Sequence, residues 1–109
     1  MDARWIEVAA LDDVPEGGTL AVDAAGEPIC LYNLGGRIHA THDICTHEDS
    51  SLADGFVEDE CIECPLHQAR FHIPTGEVRA PPATEPLRVF AVKVEGGAVF
   101  VRVDGDGSG

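Results

Sequence analysis

Gly, Pro and Asp recur along this chain at intervals too short for helices. Between them lie apolar or alternating runs of three to nine residues, which is the punctuation of short strands and turns. The runs predict strands at 4–9, 19–23, 28–33, 37–41, 56–58, 60–63, 69–73, 87–95 and 98–103. "AAGEP", "LGGR", "VEDE", "PTGE" and "EGGA" supply the turns, and Gly35-Gly36 and Gly96-Gly97 each suit a tight hairpin that needs positive φ. Only "LDDVPEGG" could hold one helical turn. "RAPPATEP", 79–86, carries three prolines and is expected to be an ordered loop rather than a central strand. "DGDGSG", 104–109, reads as a flexible tail. The expected class is all-β, an antiparallel sandwich in a single domain of 109 residues.

A domain of this size holds one modest core and often gains stability from a metal or a disulfide. The chain carries 20 acidic against 7 basic residues, a formal charge of −13. So few cations argue against nucleic acid and against anionic membranes as partners, and favour a protein partner with a basic patch. The start "MDARWIEVAALDDV" has no apolar stretch behind a basic end, and no run is long enough to span a bilayer. The expectation is a cytoplasmic protein, where four cysteines are metal ligands or buried thiols rather than disulfides.

Two loops carry the chemistry. Cys45 and His47 follow one predicted strand; after sixteen intervening residues Cys64 and His67 lie between two others. Two thiolates and two imidazoles make a metal-ligand set. Zinc could take all four in one tetrahedron, although small zinc modules pair Cys with Cys and His with His. A [2Fe–2S] cluster with both cysteines on one iron and both histidines on the other accounts better for one of each per loop.

"CTH" followed by "CPLH" resembles the Rieske motif C-x-H…C-x-x-H. The resemblance runs nearly end to end. "WIEVAAL", "DICTHEDSSLADGFVEDECIECPLHQARFHIPTGEV", "APPATEP" and "LRVFAVKVEGG" are similar to the small Rieske ferredoxins of bacterial aromatic-ring dioxygenase systems, of the naphthalene and biphenyl type. Respiratory Rieske proteins resemble C-T-H-x-x-C and C-P-C-H-G-S, with a disulfide between the loops. Here Ser50 and Leu66 stand at those positions, and Gln68-Ala69 replaces the serine that donates to the cluster.

The resemblance implies a base of antiparallel strands with a cluster-binding subdomain of two loops at about 43–73. It implies one [2Fe–2S] cluster per chain, held by Cys45 and Cys64 on one iron and by His47 and His67 on the other. The histidines would form the exposed exit path. The implied protein is not an enzyme but a one-electron carrier, between a flavin-containing NAD(P)H-dependent ferredoxin reductase and a terminal oxygenase, and is expected to be a monomer. The other readings are a subunit of another reductase complex, of the nitrite-reductase type, and a zinc-stabilised interaction module.

Histidine ligation places such a cluster at about −150 to +300 mV. Losing the serine donor and the disulfide favours the low part of that range. So does an acidic stretch with no Lys or Arg between 38 and 69: Asp43, Glu48, Asp49, Asp54, Glu58, Asp59, Glu60 and Glu63. These carboxylates are expected to ring the cluster tip. Reduction should also tighten the hold on imidazole protons, so the potential should fall with pH above the oxidised-state pKa values.

The remaining candidates have plainer explanations. Cys61, in "CIEC", is expected to be a strand residue and Cys30 a core residue. His39 and His72 are expected in strands, and His42, despite "HDICTH", at the surface. Trp5, Phe56, Phe71, Phe90 and Phe100 are expected to pack in the core or on a sheet. Pro81 and Pro82 belong to a loop that, by the resemblance, shields one side of the cluster.

Overall fold

The computed structural model describes residues 5–44, 51–65, 69–81 and 85–102. Ten strands follow in order: β1 (Trp5–Ala10), β2 (Thr19–Ala24), β3 (Glu27–Leu34), β4 (Arg37–His42), β5 (Phe56–Glu58), β6 (Cys61–Glu63), β7 (Arg70–His72), β8 (Val78–Ala80), β9 (Val89–Glu95) and β10 (Ala98–Arg102). Two single 3-10 turns, at Leu11–Asp13 and Leu52–Asp54, are the helical elements among the described residues.

Six strands form one antiparallel sheet in the order β1-β10-β9-β4-β3-β2. Its two edges, β1 and β2, approach each other, so the sheet curls towards a barrel. Alternate residues of every strand point inward, as strand periodicity requires. Val8, Val22, Ile29, Leu31, Ala40, Phe90, Val99 and Val101 belong to this filling. The other four strands form a small antiparallel sheet, β5-β6-β7-β8, whose inner face is Val57, Ile62, Phe71 and Val78.

β3 is the wall between the two cores. Ile29 and Leu31 face the barrel interior, whereas Cys30 and Tyr32 face the small sheet, and all four are fully buried. A strand covered on both faces needs apolar residues at consecutive positions, and "ICLY" meets that need.

The expected strands are present, shifted by one or two residues at their ends. β8 is an addition. It lies at the start of the proline-rich segment, and pairing with β7 across a register shift makes a strand of residues that have no local strand pattern. As an edge strand ending beside Pro81 it leaves the prolines outside the ladder. The hairpins at Gly35-Gly36 and Gly96-Gly97 have positive φ at both residues, as expected.

Phe56 corrects an expectation. It is 64% exposed, because it opens the edge strand β5 on the outer face, in the row Phe56–Glu63–Arg70–Ala80. Trp5 is half-buried beneath the cations of Lys93 and Arg102, 4.9 and 5.6 Å from its ring.

Candidate metal centre

Both motif loops meet the same end of the small sheet, one entering β5 at Phe56 and the other leaving β6 at its partner Glu63. The first begins where β4 stops. Asp43 donates its N–H to the Pro28 carbonyl (2.9 Å), which fixes it beside the start of β3. Ile44 then bridges antiparallel to Ser51, and the turn at Leu52–Asp54 leads into β5. The second begins at the end of β6. Cys64 is fully buried, and its N–H donates to the Ala69 carbonyl (2.7 Å), closing the hairpin from β6 to β7.

Gly55 brings the loops together. A Cβ there would overlap the Glu63 carbonyl oxygen, so only glycine allows the end of the first loop to lie against the residue before Cys64. Leu52, Cys64 and Ala69 accordingly share one buried apolar cluster.

Of the four expected ligands, Cys64 is the one the structure describes. Cys45, His47 and His67 lie outside the described residues, as does Pro82; Pro81 is an exposed turn residue. Among the described residues no three His, Cys, Asp or Glu side chains converge on a metal position. What the structure supplies is the platform. A thiol on a dry apolar floor, with two loops anchored beside it, suits a soft thiolate-bound centre, because the apolar shell limits water access to such a site.

A polar layer lies under this floor. The Tyr32 hydroxyl is 2.8 Å from Thr41 Oγ1, and Thr41 donates to the His42 carbonyl (3.0 Å), so Tyr32 is the donor to Thr41. Burial, with the Asp43 carboxylate adding to it, pushes the Cys30 thiol up to about 12. Burial likewise holds the Tyr32 phenol well above its usual value, with Cys30 adding to the effect. Both groups stay protonated and neutral at physiological pH. Asp43 itself is 5% exposed and accepts from the Ser51 hydroxyl (2.6 Å) and the Ala53 N–H (3.0 Å).

The acidic stretch therefore does not form one ring around the loops. Asp43 is spent inside the fold. Asp59 and Glu60 form the turn between β5 and β6, at the opposite end of that hairpin from Cys64. Arg70 also lies on this face, 3.5 Å from Glu58 and 3.9 Å from Glu63. Asp54 and Glu63 are the carboxylates that remain near the loop end among the described residues. Sequence reasoning missed the role of Asp43 because its two donors lie eight and ten residues away, across the loop.

The remaining residues fall where expected. Cys61 is a buried residue of β6 opposite His72 of β7, and Cys30 lies in the core. His39 sits in β4. His42 ends β4, half-exposed and 3.8 Å from Glu27.

Residues 4–91 match the family model of the Rieske [2Fe-2S] domain. The chain is 41% identical over 104 residues to the ferredoxin component of the naphthalene 1,2-dioxygenase/salicylate 5-hydroxylase systems of Ralstonia sp., covering 95% of this chain and all of that one. It is 42% identical over 101 residues to the naphthalene 1,2-dioxygenase ferredoxin component of Pseudomonas aeruginosa, covering 93% and 97%. The fold superposes with a TM-score of 0.85, at 37% identity and over 93% and 94% of the chains, on a structure of the complex of reduced oxygenase and oxidised ferredoxin in carbazole 1,9a-dioxygenase. The chain belongs to the Rieske [2Fe-2S] family, and its cofactor is a Rieske-type [2Fe–2S] cluster.

Proposed function

We propose that this protein carries single electrons from a flavin-containing NAD(P)H-dependent ferredoxin reductase to the terminal oxygenase of an aromatic-ring dioxygenase system. The observation that carries the reading is the similarity, across nearly its whole length, to ferredoxin components of such systems, on a fold that anchors two loops at one sheet end. The family's [2Fe–2S] cofactor removes the zinc-module reading; a nitrite-reductase-type subunit is the competing one, and near-full-length identity above 40% to dioxygenase ferredoxins favours the carrier.

Cys45 and Cys64 would bind one iron, and His47 and His67 the other. The cluster-binding subdomain would span about 43–73, with 104–109 as a tail. Once bound, the cluster supplies reversible one-electron chemistry at a potential raised by its histidine ligands. The chain's own part is mechanical and electrostatic. Cys64 is held by its N–H and by the packing of Leu52 and Ala69, so the site need not reorganise. Neutral Cys30 and Tyr32 keep the floor uncharged.

No helix among the described residues is long and apolar enough to cross a membrane. The carrier is expected to work as a monomer in the cytoplasm.

The test is an EPR spectrum of anaerobically purified, dithionite-reduced protein, with iron and sulfide assayed on the same sample. A rhombic signal with mean g below that of all-cysteine clusters, and about two irons per chain, is expected. NADH-driven reduction of the oxygenase should then require both reductase and this chain. Bound zinc with no signal would overturn the reading.

A further inference from the structure

We propose that Asp43 is a positioning residue for the cluster, tying together the two ends of the segment that carries Cys45 and His47. The inference rests on the ligand assignment proposed above.

Asp43 stands at the entrance of that loop, two residues before Cys45, and takes three hydrogen bonds from its exit. The Asp43 carbonyl accepts the Leu52 N–H (2.6 Å). Oδ2 accepts the Ser51 hydroxyl (2.6 Å), and Oδ1 accepts the Ala53 N–H (3.0 Å). With the Ile44–Ser51 bridge, these bonds tie entrance to exit over residues 43–53. The Asp43 N–H, bonded to Pro28, pins the closure to β3, the most buried strand of the base. One residue thus joins the ligand loop to the rigid sheet by its N–H, its carbonyl and both carboxylate oxygens.

The residue type matters. An ionised carboxylate only accepts, and both of its oxygens are used here. Asparagine has one acceptor oxygen. It could keep the Ala53 bond and turn its amide towards Ser51, whose hydroxyl can rotate to accept. Asp43→Asn therefore keeps the closure while removing the charge. Asp43→Ala removes both side-chain bonds, and Ser51→Ala removes one. The charge has its own consequence, because a buried anion near the cluster opposes addition of an electron.

The experiment uses the cluster-loaded full chain. Wild type must first show the Rieske EPR signal and about two irons per chain. If it does not, the ligand assignment fails independently of Asp43. Iron release to a chelator and the midpoint potential are then measured for each variant. Ser51→Ala should shed iron roughly tenfold faster than wild type, the ratio expected for losing one charge-assisted hydrogen bond. Asp43→Ala should shed it faster still. Asp43→Asn should keep its iron, with a higher midpoint potential and a shifted EPR line shape. The proposal is overturned if Ser51→Ala releases iron at the wild-type rate, or if Asp43→Asn leaves both potential and line shape unchanged.

Discussion

Raising the pH should unfold this protein through Cys30 and Tyr32. The Cys30 thiol has an ordinary value of 9.0 and is pushed up to about 12 in the fold. In the unfolded chain it ionises from pH 9 upward, whereas the folded chain holds its proton until about pH 12. The unfolded state therefore binds fewer protons in this window, and stability falls as pH rises. Below pH 9 the contribution is fully present. Above it the loss approaches about 1.4 kcal/mol per pH unit, so roughly 2 kcal/mol is gone by about pH 10.5 and about 4 at the upper end. Against a typical total of about 5–15 kcal/mol that is a large share. Tyr32 adds a second loss above its usual 10.0, of the same sign and for the same reason. It is also the chain's one tyrosine, so the tyrosinate absorbance band reports on it alone. The assay follows that band and circular dichroism together on the cluster-loaded protein at constant ionic strength. Tyrosinate should appear only as the fold is lost. Cys30→Ala should be about 1 kcal/mol less stable than wild type near neutrality, from lost packing, and should draw level or pull ahead by about pH 10.5. Parallel stability curves for the two proteins, or a smooth tyrosinate titration near pH 10 with the fold intact, would refute the argument.

Gly55→Ala places a Cβ against the Glu63 carbonyl; it should cost about 1–3 kcal/mol and lower the iron bound after purification, read by melting temperature and iron assay. Asp59 and Glu60 form a two-residue hairpin turn with φ of 54° and 65°, where Asn-Gly is the favoured pair. Asp59→Asn combined with Glu60→Gly should stabilise by about 1 kcal/mol and raise the melting temperature by several degrees, since the surrendered Glu60–His72 contact is largely exposed. Burial lowers the His39 pKa below 6.5, and Arg37 lowers it further, so its contribution is present above pH 6.5 and lost as the pH falls below it. His39→Gln should flatten that acid limb, measured as melting temperature between about pH 7.5 and 5.5. Electron delivery to the oxygenase should slow as salt is raised through physiological ionic strength, because the chain carries −13; a flat rate would remove the case for steering.

What could be read from the sequence depended on how local each feature is. The Gly35-Gly36 hairpin and the strands either side of it are set by neighbouring residues, and they were legible. So was the family, since its motif is written in short segments. β8 was not legible, because three residues next to a proline become a strand only when β7 lies beside them. Phe56 is hydrophobic by type and exposed by position, and only the register with Glu63 reveals the second. Asp43 looked like one member of an acidic run. Its burial follows from Ser51, Ala53 and Pro28 meeting it across the fold, and no spacing rule encodes that.

β3 explains why so small a sheet can carry such a site. Strands β5 to β8 have three residues each, too few to hold a sheet together without a second layer. Cys30 and Tyr32 supply that layer, closing over Ile62 and Phe71, while Ile29 and Leu31 on the opposite face belong to the barrel. The residues around Cys64 are therefore stabilised by a strand whose other face is fixed by the larger core. Asp43 extends the same logic to the first loop, since its N–H is bonded at Pro28, one residue before Ile29. A carrier must dock and release partners at the loop end without loosening its ligands. Tying both loops to one doubly buried strand separates the two demands, because β3 is covered on both faces and its geometry does not depend on contacts made at the surface.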